Sequence, residues 1–302
     1  MVYKGSDKEF AGFIMTYNRP DIIADTVDKI FQQSYPPQKL LVVDNSEDSE
    51  TETVIKSIEN SHLEYVKVGY NSGPAGAAKK GLEILVQEGY QWIYWGDDDD
   101  PPSSNNIFEK LLKIAINEKG VGAVGSIGNI FYPYRARVFN ISNTVLKSKD
   151  VIEVDCIPGG HNFIVSGSAI RESGVLPTAN LFFGFEELDF CLSLKKEGYR
   201  LLVDSKTWYQ NRLSDGNCID SYRFKSSSGT SKVNYKRMYF SHRNMLYILN
   251  KNNSILGLMF LISKGLVKPF LLLTNKRFDF LKVIKVYFIA TLDFLFNNYN
   301  RK

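Results

Sequence analysis

The chain has 302 residues, of which 44% are apolar and 23% are charged, an ordinary composition for a globular protein with a sizeable core. This composition excludes the disordered, collagenous and disulfide-scaffold classes. The net charge of +4 is too small to indicate a nucleic-acid-binding protein, so we expect no nucleic-acid partner.

The first hundred residues alternate between short apolar runs and helical patterns. Strands are predicted at 10–17, 40–44, 64–68 and 91–95, with helices between them at 22–31, 50–59 and 75–87. Short, continuously apolar strands that alternate with helices form parallel sheets covered on both faces. The predicted fold class is therefore α/β, with a mostly parallel sheet flanked by helices.

Beyond residue 100 this pattern continues and then loosens. A helix is predicted at 104–117 and a strand at 121–127, whereas 131–157 has alternating stretches without a long helix and indicates a strand-rich insertion. Order returns with a strand at 162–165, a helix at 187–197 and a strand at 200–203. The polar, Ser- and Gly-rich stretch 215–232 predicts a mobile loop.

The last segment, 255–302, contains eight basic and two acidic residues, a local excess of +6. Phe, Leu, Ile and Val alternate there with Lys at three- and four-residue steps, which is typical of a basic amphipathic helix. It predicts contact with an anionic membrane surface or, alternatively, helices that pack on the globular domain. Lysines interrupt every apolar run before it reaches the roughly 18 residues of a spanning helix.

The compartment is predicted from the N-terminus and the cysteines. Residues 1–9 are polar and lack the apolar core of a secretory signal, so we expect folding to begin in the cytosol. Cys156, Cys191 and Cys218 are widely separated and form no metal-binding spacing, which predicts neither a disulfide framework nor a zinc site and fits a reducing compartment.

Four consecutive aspartates, Asp97 to Asp100, directly follow the predicted strand 91–95 and are closed by two prolines. Adjacent carboxylates repel one another, so something cationic must offset them. The carboxyl end of a parallel strand is where a hard divalent cation and a phosphate-bearing ligand bind in many α/β proteins. A solvated acidic turn is the alternative.

Two further segments carry candidate chemistry. Small residues at 71–77 precede a helix, where backbone amides favour an anion such as pyrophosphate. A plain tight turn explains these residues equally well. Neither the Rossmann nor the P-loop spacing is present.

Glu186, Glu187 and Asp189 open another helix, and one such carboxylate beside a hydroxyl can act as general base. Helix capping is the alternative. Because Glu186 and Glu187 are adjacent, at most one is expected to be the base.

Six segments occur in an order that resembles family two glycosyltransferases, over residues 9–250. They are Thr16-Tyr17-Asn18-Arg19, Val43-Asp44-Asn45, Asn71-Ser72-Gly73, the aspartates 97–100, Glu186-Glu187-x-Asp189 and Tyr239-x-x-x-Arg243-Asn244. The chain is similar to the bacterial rhamnosyltransferase and galactofuranosyltransferase branch. The resemblance implies a GT-A fold, a nucleotide-diphospho-sugar donor, Mn²⁺ or Mg²⁺, and inversion at the anomeric carbon.

The resemblance also implies roles for individual residues. Asp97 and Asp99 are the implied metal ligands, Asp97 alternatively touching the ribose, and Glu187 is the implied base with Glu186 as the alternative. The implied donor-binding residues are Thr16, Arg19, Asp44, Asn71, Gly73 and Asp97. In the family the base is usually Asp, and a metal-binding His often follows the next strand. Here Gln210 and Asn211 stand in that region instead, and His161 and His242 are distant candidates.

These expectations combine into one hypothesis. Residues 1–250 form the glycosyltransferase domain, with a nucleotide-sugar half at 1–127 and an acceptor half at 128–250, and 251–302 form the basic tail. The enzyme transfers a sugar from UDP or dTDP, with galactofuranose and rhamnose as the candidates, to a glycan or lipid-linked acceptor during cell-surface polysaccharide synthesis. It is cytoplasmic and peripheral on the inner face of the cell membrane. A sugar-phosphate nucleotidyltransferase and a non-catalytic membrane-associated scaffold are the alternatives.

Overall fold

The computed structural model describes residues 8–102, 104–160, 162–214, 233–273 and 278–299. The strands within these ranges are β1 (Phe10–Thr16), β2 (Leu40–Asp44), β3 (Leu63–Lys67), β4 (Trp92–Asp97), β5 (Val121–Gly125), β6 (Asn129–Tyr132), β7 (Arg137–Asn140), β8 (Val151–Glu153), β9 (Phe163–Ser166) and β10 (Arg200–Asp204). The predicted loop at 215–232, Cys218 and His161 lie outside the described residues.

The helices confirm the predicted alternation and extend it. They are α1 (Pro20–Phe31), α2 (Glu50–Lys56), α3 (Gly73–Gln87), α4 (Ile107–Asn117), α5 (Asn143–Ser148), α6 (Gly167–Ser173), α7 (Glu186–Lys196), α8 (Ser205–Ser214), α9 (Tyr235–Lys251), α10 (Ile255–Leu271) and α11 (Phe280–Leu295). Helices α5, α6 and α8 were not predicted. The first two are too short to show a clear period of 3.6 residues, and α8 has no apolar stripe because only Ser205 and Trp208 of its ten residues are buried.

The central sheet has eight strands in the order β3-β2-β1-β4-β9-β5-β10-β8. The β1–β2, β1–β4, β2–β3 and β5–β10 pairs are parallel, whereas β9 is antiparallel to both β4 and β5, and β8 is antiparallel to β10 at the edge. The prediction of a mostly parallel sheet is confirmed. Strands β6 and β7 form a separate hairpin in the predicted strand-rich insertion.

Both faces of the sheet are buried, as continuously apolar strands require. Successive side chains of a strand point to opposite faces, so Phe13 and Trp95 contribute to one hydrophobic core while Phe10, Ile14 and Tyr94 contribute to the other. In α1, Ile23, Val27 and Ile30 are buried, whereas Ile22 is 36% exposed and lies off the buried face.

Register brings the functional strand ends together. In the parallel β1–β2 pair Thr16 stands opposite Asp44, and in the β1–β4 pair Met15 stands opposite Asp97. Thr16, Asp44 and Asp97 therefore lie at one edge of the sheet, where the loops leading to α1, α2 and α4 begin.

The tail helices α10 and α11 pack on α9 and on each other. They bury one face each, including Leu261, Val283 and Ala290, and expose many large apolar side chains on their other faces. Packing on the globular domain is thus part of their role, and the predicted membrane contact is compatible with it. Across the described ranges, no helix is both long enough and apolar enough to cross a bilayer.

Candidate active site

The acidic run after β4 meets a cation from the loop after β1. Arg19 Nη1 lies 3.0 Å from Asp98 Oδ1 and also pairs with the carboxylate of Asp99. The Asp98 side chain is buried, and burial raises its pKa against the lowering effects of Thr16 and Arg19. The family resemblance implies that Arg19 binds the nucleoside. In the structure its positive charge also offsets the negative charges of Asp98 and Asp99.

Asp97 and Glu187 face each other across Gly159. The Gly159 N–H donates a hydrogen bond of 3.1 Å to Glu187 Oε1. A Cβ on Gly159 would lie 2.5 Å from that same oxygen and 3.5 Å from Asp97 Oδ2. Residue 159 is glycine because its backbone runs directly against both carboxylates.

The electrostatics of this pair are unfavourable for two anions. Burial, and then repulsion from Glu187 and the other aspartates, raises the pKa of Asp97 to about 7. Burial also raises the pKa of Glu187, although the N–H groups of Glu187 and Gly159 stabilise its charged form and act against that rise. Carboxyl groups with raised pKa values are suited to proton transfer near neutral pH.

Glu186 lies in a different environment from its neighbour. Its side chain is only 5% exposed, and within the described ranges its Oε2 has no hydrogen-bond partner. Burial, and then the charge of Glu187, raises the pKa of Glu186 well above the usual range. Glu187 is less buried and stands beside Asp97, which favours it over Glu186 as the proton acceptor.

Asp44 is fully buried at the end of β2. Its Oδ1 accepts a hydrogen bond of 2.7 Å from the Ser46 N–H, and its Oδ2 accepts one of 2.8 Å from the Tyr65 hydroxyl. Burial and then Asp44 raise the pKa of Tyr65. Both carboxylate oxygens of Asp44 are thus used inside the protein, and neither is exposed to a ligand. The predicted contact between Asp44 and the nucleoside stays a prediction.

The loop before α3 is fastened to the segment before α7. Asn71 Oδ1 accepts a hydrogen bond of 3.0 Å from the Gly73 N–H, and Asn45 Nδ2 donates one of 3.1 Å to the Gly73 carbonyl. Gly73 has φ of +71°, and a Cβ there would lie 2.2 Å from the Phe182 carbonyl oxygen. Gly73, a predicted donor-binding residue that Asn71 holds in place, therefore lies against the segment that carries the candidate base.

That segment is held in a strained conformation. Phe182 and Phe185 have φ of 61° and 70°, in the left-handed region that L-residues other than glycine rarely adopt. Such strain persists only where surrounding contacts over-determine the backbone, and it is common at active sites.

The contacts that hold it come from the motif on α9. Asn244 Nδ2 donates to the carbonyl oxygens of Leu181, Phe183 and Gly184 at 3.0, 3.0 and 2.8 Å. The fully buried Arg243 donates to the carbonyl oxygens of Asn180 and Leu181 at 3.2 and 3.0 Å and to Asn244 Oδ1. We call Arg243 and Asn244 the α9 clamp, because together they fix the backbone leading to Glu186 and Glu187.

Asp189, the last acidic residue of the segment, is structural. Its Oδ2 accepts a hydrogen bond of 2.6 Å from Thr178, and its Oδ1 forms an ion pair of 2.8 Å with Lys251 at the end of α9. It is 1% exposed and ties α7 to α9.

The residues suggested for a third metal ligand are not brought to the acidic run. Gln210 and Asn211 are exposed on α8, a helix that packs against α5 and β8 at the sheet edge. His242 is buried between α9 and the tail helices, where its Nε2 lies 3.1 Å from Thr291 Oγ1 and burial lowers its pKa to about 4.

The donor set at the strand end nevertheless suits a divalent cation. Within the described ranges no three acidic, His or Cys side chains form a ready-made ligand cluster. Mg²⁺ and similar hard cations, however, bind through one or two carboxylates together with substrate phosphates and water. Asp97 and Asp99 supply such a pair. Burial and, after it, the neighbouring carboxylates raise the pKa of Asp97, and a bound cation would favour its ionised form.

Sequence reasoning missed two contributors to this site. Gly159 was not singled out, although Pro158-Gly159-Gly160 is a recognisable turn signal. The α9 clamp was noted only as a motif, because its contacts with residues 180–184 connect distant parts of the chain.

Comparison with known proteins gives a family and a fold. The family model "Glycosyl transferase family 2" matches residues 13–176, more than half of the chain. Galactofuranosyltransferase GlfT1 from Mycolicibacterium smegmatis (strain ATCC 700084 / mc(2)155) is 28% identical over 102 residues, which are 34% of this chain and 33% of that protein. The match thus spans about a third of that relative's length.

Two solved structures share the fold. One is the mannosyltransferase PcManGT from Pyrobaculum calidifontis with GDP-Man and Mn²⁺, with a TM-score of 0.55 and 13% identity over 96% of this chain and 88% of that chain. The other is S. aureus TarS 1–349 with UDP-GlcNAc, with a TM-score of 0.52 and 15% identity over 96% and 89% of the two chains. The sheet and its helices are thus of the GT-A type, as predicted.

Proposed function

The chain belongs to glycosyl transferase family 2, and we propose that it moves a sugar, with inversion, from a nucleotide-diphospho-sugar to a glycan or lipid-linked acceptor in cell-surface polysaccharide synthesis. The observation that carries this proposal is the pairing of Asp97, at the end of β4, with Glu187, at the start of α7, across Gly159. One carboxylate lies on the donor side of the site and the other is available to the acceptor.

The donor side is formed by the ends of β1, β2 and β4 and by the loop before α3. Of the expected donor-binding residues, Thr16, Asp44 and Gly73 are buried just behind this edge, whereas Asn71 and Arg19 are accessible from solvent. The Arg19 side chain is 48% exposed, and a guanidinium has five N–H donors, so it retains donors for a ligand beyond those used by the aspartates. This supports a role in binding the nucleoside or the diphosphate.

The reaction is a single displacement. The bond between the anomeric carbon and the diphosphate oxygen breaks, and its electrons leave with the diphosphate. The acceptor oxygen attacks the same carbon from the opposite face, and its proton passes to the carboxylate of Glu187. One displacement of this kind inverts the configuration.

A divalent cation is part of the proposal. Asp97 and Asp99 would hold Mn²⁺ or Mg²⁺, and the cation would neutralise the negative charge that develops on the leaving diphosphate. A bound cation would lower the pKa of Asp97, while the hydrogen bond from Gly159 holds the Glu187 carboxylate in place.

The cellular setting is proposed from the tail. Basic and apolar residues of α10 and α11 attach the enzyme peripherally to the cytoplasmic face of the cell membrane, where a lipid-linked acceptor resides. UDP- or dTDP-linked galactofuranose or rhamnose are the proposed donors, on the resemblance to that branch of the family.

The test is a donor screen at fixed Mn²⁺ that follows release of nucleoside diphosphate, with wild type and Glu187→Gln measured side by side. We expect one donor class to be cleaved by the wild type and much more slowly by the variant. Cleavage of no nucleotide-sugar, or equal rates for the two proteins, contradicts the proposal.

A further inference from the structure

A groove of about 400 Å³ lies between α9 and α11. Tyr239 and Phe240 of α9 form one side, and Val286 and Ile289 of α11 form the other. Three lysines surround it: Lys236 on α9 and Lys282 and Lys285 on α11. The lining is thus apolar with a cationic rim, a combination that suits a ligand with an anionic head and an apolar body.

The positive charge of the rim is only weakly compensated. Lys282 forms an exposed ion pair of 3.5 Å with Asp279, and such pairs contribute little. In the described part of the chain no carboxylate forms an ion pair with Lys236 or Lys285. Asp293 is buried, and its Oδ2 accepts a hydrogen bond of 2.7 Å from the hydroxyl of Tyr239, one of the groove residues. The rim therefore presents positive potential to solvent.

The groove adjoins a large exposed apolar surface. On α11, Leu281, Ile284 and Phe288 form a stripe at three- and four-residue spacing, next to the stripe that lines the groove. On α10, Leu256, Met259, Leu266 and Phe270 are between 61% and 66% exposed. The Phe270 and Phe280 rings are 5.5 Å apart and join the two helices into one apolar platform.

A soluble anion accounts for the lysines and leaves this platform in water, whereas exposed apolar patches of such size mark interaction surfaces. We propose that the groove binds the phosphate group of an anionic membrane phospholipid, whose acyl chains continue along the platform of α10 and α11. Electrostatic attraction of lysines and burial of apolar side chains at the headgroup boundary then act on one ligand.

The groove lies close to the segment that carries the candidate base. Phe240, which lines the groove, has its ring 5.2 Å from that of Phe182 and 6.2 Å from that of Phe183. Both phenylalanines belong to the segment that leads to Glu186 and Glu187. The lipid site deepens the membrane attachment of the proposed function, whereas lipid binding itself requires neither donor nor acceptor.

Two binding measurements on the full chain test the proposal. The first is co-sedimentation with vesicles of phosphatidylcholine alone or mixed with phosphatidylglycerol. The second is calorimetric titration with dihexanoyl-phosphatidylglycerol below its micelle concentration, with dihexanoyl-phosphatidylcholine and inorganic phosphate as competitors. The variants are the triple change Lys236→Gln, Lys282→Gln and Lys285→Gln, and the groove-filling Ile289→Trp. The matched control is Lys80→Gln, Lys110→Gln and Lys119→Gln, which removes the same charge from exposed lysines elsewhere.

We expect the groove triple variant to bind mixed vesicles roughly 100-fold more weakly, since each lysine near an anionic surface contributes about a factor of five. The control triple variant should bind like wild type. Ile289→Trp keeps every charge, so it should weaken binding of the monomeric lipid by about 10-fold or more while vesicle attraction persists. Equal binding by the two triple variants, or inorganic phosphate binding as tightly as the lipid, would overturn the proposal. A chain that binds lipid yet cleaves no nucleotide-sugar would count against the proposed function instead.

Discussion

Gly159 donates its backbone N–H to Glu187 at 3.1 Å, and the same glycine leaves no room for a side chain between that carboxylate and Asp97. The hydrogen bond stabilises the charged form of Glu187, while burial and repulsion disfavour charge on Asp97. Gly159 thus stabilises the charged form of Glu187 and, by lacking a side chain, lets the two carboxylates lie close together.

The first prediction concerns this glycine. In Gly159→Ala the new Cβ meets Glu187 Oε1, so the carboxylate must turn away. We expect kcat to fall by roughly 10²-fold, as for removal of a general base, with donor affinity close to that of wild type. Gly198→Ala is the control, since Gly198 has a positive φ of +89° and open space around it. An equal loss of kcat in both variants would mean that folding, not the site, is disturbed.

The second prediction distinguishes the two adjacent glutamates. Glu187→Gln keeps the shape and removes the basicity, so transfer should slow by roughly 10²-fold or more. Because burial raises the pKa of Glu187, the rate of the wild type should rise with pH over a range above that of an ordinary glutamate, and this limb should vanish in the variant. Steady-state rates against pH provide the measurement. If Glu186→Gln removes the limb and Glu187→Gln does not, the roles are exchanged.

The third prediction uses stability in place of activity. Folding raises the pKa of Asp97 from 3.8 to about 7, so the folded state holds a proton that the unfolded state has lost, and the free energy of unfolding falls as pH rises between these values. Asp97→Asn removes that dependence and should gain about 2–4 kcal/mol relative to wild type across this interval.

Urea unfolding at several pH values measures the effect, with the exposed Asp21→Asn as control. Mn²⁺ should restore stability to the wild type at high pH, because a cation favours the ionised form of Asp97, and should do less for Asp97→Asn. Parallel stability curves for Asp97→Asn and wild type would show that Asp97 ionises as an ordinary aspartate.

The fourth prediction concerns the α9 clamp. Asn244→Ala removes the side-chain donor to the carbonyl oxygens of Phe183 and Gly184, and leaves Arg243 as the remaining side-chain donor to that of Leu181. The loss costs about 1–3 kcal/mol and releases the backbone held at Phe182 and Phe185. We expect kcat to fall by about 10-fold or more, with the acid limb of the pH profile shifted, since Glu187 loses its fixed position. Asn252→Ala is the control because Asn252 Nδ2 donates a local hydrogen bond of 2.8 Å to the Ile248 carbonyl, four residues earlier in the chain. A stability loss without any change in the pH profile would assign the clamp a purely structural role.

The parts of this site that could be predicted from sequence are local in the chain. The ends of β1, β2 and β4 follow from apolar runs that stop at polar residues, and parallel pairing then places Thr16, Asp44 and Asp97 at one edge. The direction of β9 could not be predicted, because an apolar run of four residues is the same pattern in a parallel and an antiparallel strand.

The contacts that tune the chemistry are distant in sequence. Gly159 and Glu187 are 28 positions apart, and Asn244 and Gly184 are 60 apart. Neither sequence separation corresponds to a helical or strand period. A backbone group can belong to any residue type, so its partner in such a hydrogen bond cannot be identified from the sequence. The pairing of Arg19 with Asp98 and Asp99 was missed for the same reason, although the need for a cation near the aspartates was predicted.

The most direct test of transfer by one displacement, with Glu187 as base, is the anomeric configuration of the product. Proton NMR of the sugar transferred from the donor found in the screen, recorded before mutarotation where water is the acceptor, reports this configuration. The account predicts the configuration opposite to that of the donor and loss of the product signal in Glu187→Gln. Retained configuration would require a second displacement and would contradict it.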